Sequence, residues 1–249
     1  MVKRLICFAV AIMTVCALYF AFASDAGENY FTAMKRKNEG ELPENTQVVV
    51  SKVPFINQFK LGYANGCEAV SATMVLRFNG YDVSPADVIA ATPGVSRFYQ
   101  EDGVWYGGDP FRGFVGDPVK TSDEGAYGCF AEPIVRAMKV YAGDRVKDIS
   151  GCEPGMLYEC IDKEKPVVVW GSSDDNLADD VTWKIVDNNG NVTDKTFTRI
   201  LHEPCMVLIG YDNDYVYLNN PAKEAGFKQS REVFEKNFRI LYSQAIIIE

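Results

Sequence analysis

The chain has 249 residues, 47% hydrophobic and 24% charged, with a formal net charge of −9. That balance supplies a sizeable core and excludes a disordered or fibrous chain, while the acidic sign argues against nucleic acid as a partner and against charge-driven binding to an anionic surface. Seven cysteines and a single histidine, His202, leave no metal-ligand spacing, so neither a metal nor another cofactor is expected.

Residues 1–23 read as a targeting element. Lys3 and Arg4 precede an uncharged apolar run from Leu5 to Ala23, and Ala21-Phe22-Ala23 has the form of a cleavage site. The run suits a cleaved signal peptide and is also long enough for a retained N-terminal membrane anchor. Either way the body is expected outside the cytoplasm, secreted or tethered, with the membrane engaged only through this segment. Without Lys3 and Arg4 the body carries 23 basic and 34 acidic residues, a net charge of −11. Residues 24–46 are polar and read as a tether, so the folded domain is expected over 47–249.

Gln47 to Ile56 is β-rich, but Pro54 limits it to an edge or broken strand. A helix is predicted from Cys67 to Asn79, with Gly80 as its C-terminal stop. Ser84, Pro85 and Asp87 form the opening of a second helix. Thr92 to Tyr127 is rich in Gly, Pro and aromatics without a clear period, and reads as a long loop lining a cleft. Trp105, Tyr106, Phe111 and Phe114 suit a peptide groove and a core equally well. Further helices are predicted over Ala131–Tyr141 and Pro154–Lys163, the latter opened by Ser150 or Glu153, then a buried strand over Val167–Trp170. A hairpin over Val181–Thr198 turns at Asn188-Asn189-Gly190, followed by strands over Met206–Tyr211 and Tyr215–Leu218. Ser230 caps a short helix to Phe238, and Ile240–Ile248 closes the sheet. Helices precede an antiparallel sheet, which is an α+β pattern.

A cysteine that opens a helix meets free backbone N–H groups and the positive end of the dipole, both of which favour the thiolate. Gln58, just after the Val53–Ile56 strand, is placed to donate to an oxyanion. Asp174, Asp175, Asp179 and Asp180 form an acidic cluster without the spacing of a calcium loop and read as a solvated face. Asn191-Val192-Thr193 is a glycosylation sequon. The body's five cysteines are Cys67, Cys129, Cys152, Cys160 and Cys205; an odd count in an exported chain predicts one free thiol and up to two disulfides, whose pairing stays open.

Val53-Pro54-Phe55-Ile56-Asn57-Gln58, followed by Asn65-Gly66-Cys67-Glu68-Ala69-Val70-Ser71, resembles the nucleophile region of the C39-like cysteine peptidases, which read V-P-x-x-x-Q and then G-C-x-x-x-S. Gly108-Asp109-Pro110, Gly113 to Pro118, and Met206 to Asp212 with Asn219-Asn220-Pro221 resemble the family's exported single-domain branch. The resemblance implies a papain-like fold, with N-terminal helices packed on a C-terminal antiparallel sheet. It implies Cys67 as nucleophile, Gln58 as oxyanion donor, a histidine as base, and an Asp or Asn to orient it. The family's histidine slot holds Pro204, two residues after His202, and the orienting slot holds Asn220. On a regular strand His202 and position 204 lie roughly 6.6 Å apart, farther than a base reaches, unless the strand bends at Pro204. The expected function is thus an exported cysteine peptidase, a thiol hydrolase of peptide or amide bonds in a peptide or protein substrate, a cationic one suiting the acidic body. A pseudopeptidase that binds peptides or surfaces is the alternative, and a transamidase uses the same thioester chemistry. The double-glycine leader specificity of the transporter-fused branch does not carry over.

Overall fold

A computed structural model describes residues 46–172, 177–201 and 204–249. The predicted targeting element and nearly all of the tether lie outside these residues, as do His202, Asp174 and Asp175. Gln47–Glu249 forms one compact unit, and among the described residues no helix is long and apolar enough to cross a membrane.

The elements run β1 (Val48–Val49), α1 (Cys67–Phe78), α2 (Pro85–Ala91), β2 (Gly94–Val95), β3 (Tyr99–Glu101), β4 (Val104–Gly107), β5 (Phe114–Val115), α3 (Ala131–Ala142), β6 (Val146–Asp148), α4 (Pro154–Asp162), β7 (Val167–Trp170), β8 (Ala178–Val186), β9 (Val192–Leu201), β10 (Cys205–Tyr211), β11 (Tyr215–Asn219), β12 (Phe227–Ser230), α5 (Arg231–Ile240) and β13 (Ala245–Ile248). This is an α+β protein. Its main sheet has the order β12-β11-β10-β7-β13-β6, with β1 added to the far end of β10, and all its pairs are antiparallel. A second sheet has the order β3-β4-β8-β9.

The central strands are apolar along their whole length because both faces are covered. Val168, Trp170, Cys205, Val207, Ile246 and Ile248 share one core with α1 and α3. Their alternates Val167, Val169, Met206, Leu208 and Ile247 are buried too, on the other face by the period of two. There α4 packs on β7 and β10, and α5 packs on β11 and β12. Helix α1 is buried continuously from Glu68 to Leu76, with the Ser71 and Thr73 hydroxyls satisfied by backbone carbonyls.

Local signals acted as expected at α2, where Ser84 and Asp87 form a reciprocal capping box ahead of Pro85. They failed in three places. Thr92–Tyr127 is not an irregular loop: it holds β2 to β5, and β4 pairs in parallel with the distant β8, a non-local pairing that leaves no local period. Its aromatics go to packing rather than to a groove. Phe114 is buried, Phe111 stacks on Phe130 at 4.4 Å, Trp105 meets Phe98 at 5.8 Å, and Tyr106 stacks on Tyr99 at 5.6 Å. Ile240 ends α5 instead of opening the last strand, because Tyr242 and Ser243 take left-handed backbone and turn the chain before β13. Ser230 and Glu153 occupy N-cap positions of α5 and α4 without a side-chain capping bond.

Cys67, Cys129, Cys152, Cys160 and Cys205 are all outside any disulfide, which corrects the expectation of disulfides. Cys129 and Cys205 are instead wholly apolar core residues beside Cys67, where free cysteine packs as a small hydrophobe.

Candidate active site

The sequence brings Cys67 to the first residue of α1 through Gly66. A side chain at Gly66 would sit 2.7 Å from the Tyr63 Cβ, so only glycine lets the preceding loop fold this tightly against the helix start. Ser71, one turn on, donates its hydroxyl to the Cys205 carbonyl at 3.0 Å. The Cys205 N–H in turn donates to Cys67 Sγ at 3.4 Å. Helix α1 and β10 are thereby pinned together at the sulfur.

Cys67 is half-buried and opens onto a cleft of about 380 Å³. Gln58, Phe59, Glu68, Trp170, Arg199 and Pro204 are among the residues lining it. Gln58 is 3% exposed. Its Nε2 donates to the Tyr63 and Ala64 carbonyls at 3.3 and 3.2 Å, bracing the loop before Cys67. Its backbone N–H donates to the Pro221 carbonyl at 3.0 Å, which ties it to the Asn220 segment. Asn220 is fully buried and accepts the Ala222 N–H at Oδ1, 3.0 Å away; Ala222 lines the cleft. Among the described residues its Nδ2 has no partner. The fold thus gathers Cys67, Gln58 and the Asn220 turn around one cleft.

The histidine question turns on the connection between β9 and β10. These strands belong to different sheets; β9 ends at Leu201 and Pro204 lies in neither. The Pro204 carbonyl accepts the Gly171 N–H at 3.2 Å. Position 204 itself thus lies just outside β10, beside the end of β7. Leu201 and Pro204, which flank the segment holding His202, both line the Cys67 cleft.

Glu68 was missed in the sequence. An acid in the first turn of a helix is ordinarily solvated, yet this one is 4% exposed. Its Oε1 accepts the Cys129 N–H at 2.8 Å and its Oε2 accepts the Cys67 S–H at 3.3 Å. Burial pushes its carboxyl up from 4.5 to about 7, against the pull of those hydrogen bonds. The available signal was the absence of any charge from Ala69 to Leu76, where Ser71 and Thr73 are the only polar side chains, which commits the helix start to the interior. In the acidic cluster, Asp180 pairs with Arg199, and among the described residues no group of acidic, His or Cys side chains converges to hold a metal ion.

The model of the Peptidase_C39 like family matches residues 50–246. The chain belongs to that family. Over 186 residues it is 34% identical to the uncharacterized protein YvpB of Bacillus subtilis (strain 168), covering 74% of this chain and 69% of YvpB. It also resembles a crystal structure from Bacillus anthracis of a protein provisionally named a C39-like peptidase, with a TM-score of 0.69 and 32% identity over 82% of this chain and 98% of that one.

Proposed function

We propose that the chain is an exported thiol hydrolase that cleaves peptide or amide bonds through a thioester on Cys67. The observation that carries this reading is the Cys67 sulfur at the first residue of a buried helix, facing a cleft that Gln58 also lines, in a chain of the Peptidase_C39 like family. In this chemistry the Cys67 S–H bond breaks, its proton reaching His202, as Sγ bonds to the substrate carbonyl carbon and the carbonyl electron pair moves to oxygen. Free N–H groups of the α1 start, with Gln58, stabilise that oxyanion. The C–N bond then breaks as His202, oriented by Asn220, delivers a proton to the leaving nitrogen. Water subsequently releases the acyl group and restores the thiol. Export rests on the apolar run before Ala23, and the body's net charge of −11 suits a cationic peptide.

A second reading has its own support: Pro204 stands in the family's histidine slot, and Gln58 Nε2 is engaged by two backbone carbonyls. In it the chain binds peptides without cleaving them. The test incubates the full chain and its Cys67→Ala and His202→Ala variants with a peptide library and follows products by mass spectrometry. Cleavage lost in both variants supports the hydrolase. Binding without products, unchanged by His202→Ala, refutes it in favour of the binding module.

A further inference from the structure

Glu68 is a buried carboxyl with a receptor constructed around it. Gly128, at φ +139, is the residue whose backbone faces it, and a side chain there would overlap Glu68 Oε1. The next residue is fixed on both of its peptides: the Cys129 N–H donates to Glu68 Oε1 at 2.8 Å, and the Cys129 carbonyl accepts the Trp170 Nε1–H at 2.9 Å. The second carboxyl oxygen is thereby aimed at Cys67 Sγ, 3.3 Å away. Burial, not a charged partner, is the largest influence on the Glu68 carboxyl. A carboxyl in such a place is costly, and among the described residues its side-chain hydrogen-bond partner is the Cys67 sulfur.

We propose that Cys67 and Glu68 form a proton-sharing dyad: the pair holds one proton between Sγ and Oε2 and carries a single negative charge, so that Glu68 sets the pH at which the sulfur becomes a nucleophile. In the sharing step the S–H bond breaks, its electron pair stays on sulfur, and an O–H bond forms on Oε2. The total charge is unchanged, and no other reactant is needed. Removing the second proton puts two anions 3.3 Å apart in a dry site, which displaces that step well above the pH of an ordinary thiol. The proposal rests on the reading of Cys67 as the nucleophile.

The other titratable and charged groups around the pair do not supply the same effect. Cys129 and Cys205 are thiols that burial pushes far upward, so they stay neutral. Glu132, on α3, acts on Cys129. Tyr127 and Arg199 line the cleft, and Arg199 is paired with Asp180. His202 lies outside the described residues, and the His202→Ala chain serves as its control.

Glu68→Gln keeps an acceptor for the Cys129 N–H, turns an N–H donor toward the sulfur, and removes the competing anion. The experiment follows alkylation of Cys67 by iodoacetamide in the full chain as a function of pH, by mass spectrometry of the Cys67 peptide. In Glu68→Gln the alkylation midpoint should fall by at least about one pH unit, with an about tenfold faster reaction near pH 7. The same fall should appear in the His202→Ala background. A midpoint that is unmoved or raised overturns the dyad and leaves Glu68 structural. If the Gln variant does not fold, infrared difference titration of Cys67→Ala replaces it. There the protonated-carboxyl band should persist to higher pH than in the wild type, and an identical titration overturns the proposal. No peptide enters these assays. A shifted midpoint in a chain that never cleaves peptide therefore supports the dyad while defeating the hydrolase reading, and an unmoved midpoint in an active chain defeats the dyad alone.

Discussion

Replacing Glu68 with Gln should change how stability depends on pH, and the structure fixes both sign and size. Burial raises the Glu68 carboxyl from 4.5 to about 7 in the folded chain. The folded chain then binds this proton more tightly than the unfolded one. The corresponding stability is fully present below about pH 4.5 and is lost as pH rises through about 7. At about 1.4 kcal/mol per pH unit, that interval amounts to about 3 kcal/mol. The carboxyls pulled below their ordinary values, Asp87, Glu124, Asp187 and Asp212, are at the surface, and they change stability in the acid range outside this window. The difference between variant and wild type therefore isolates Glu68. Urea midpoints of both chains, measured in steps from about pH 4.5 to about pH 8, should show the variant gaining about 3 kcal/mol on the wild type across the window. In a domain of this size that corresponds to about 6–12 °C in Tm. A difference that stays constant to within about 0.5 kcal/mol across the range would refute the argument that burial governs this carboxyl.

The neighbours of Glu68 give further expectations. Gly128→Ala forces a side chain onto left-handed backbone and into the Glu68 carboxylate; it should cost about 3–5 kcal/mol, read as a lower denaturant midpoint, with Cys67 alkylation altered as well. Trp170→Phe removes the Nε1–H donor of the buried Cys129 carbonyl and should cost about 1–3 kcal/mol in the same measurement, because the carbonyl is left unpaired.

What was legible in the sequence was what neighbouring residues decide between themselves. Ser84, Pro85 and Asp87 fix the start of α2 by their own hydrogen bonds. Val167–Trp170 reads as a buried strand because four apolar residues follow Pro166, and Cys67 reads as a helix start because of Gly66 and the apolar residues behind it. What was illegible is what distant segments decide. The β4 strand exists because β8 lies beside it. The cysteines were counted as disulfide partners, yet packing around α1 made Cys129 and Cys205 core residues. The site divides in the same way: Gln58 and Asn220 were singled out from motifs, whereas Glu68 became a partner of the sulfur only because the Gly128–Cys129 peptide, far along the chain, holds its other oxygen.

That partnership alters the physical account of the nucleophile. A helix N-terminus favours an anion by about 0.3–1 kcal/mol, and by about 2 kcal/mol when partly buried. A carboxylate 3.3 Å from the sulfur opposes a second negative charge by about 5 kcal/mol at an effective dielectric of about 20. The carboxylate wins. While Glu68 is ionised, the helix start alone cannot hold Cys67 as a thiolate, and the S–H donates to Oε2 instead. Moving the proton from sulfur to Oε2 removes the repulsion at the instant the thiolate forms, with no change in the charge of the pair. On the proposed reading, the helix start determines where the sulfur sits, and the residue that follows it determines when that sulfur can attack.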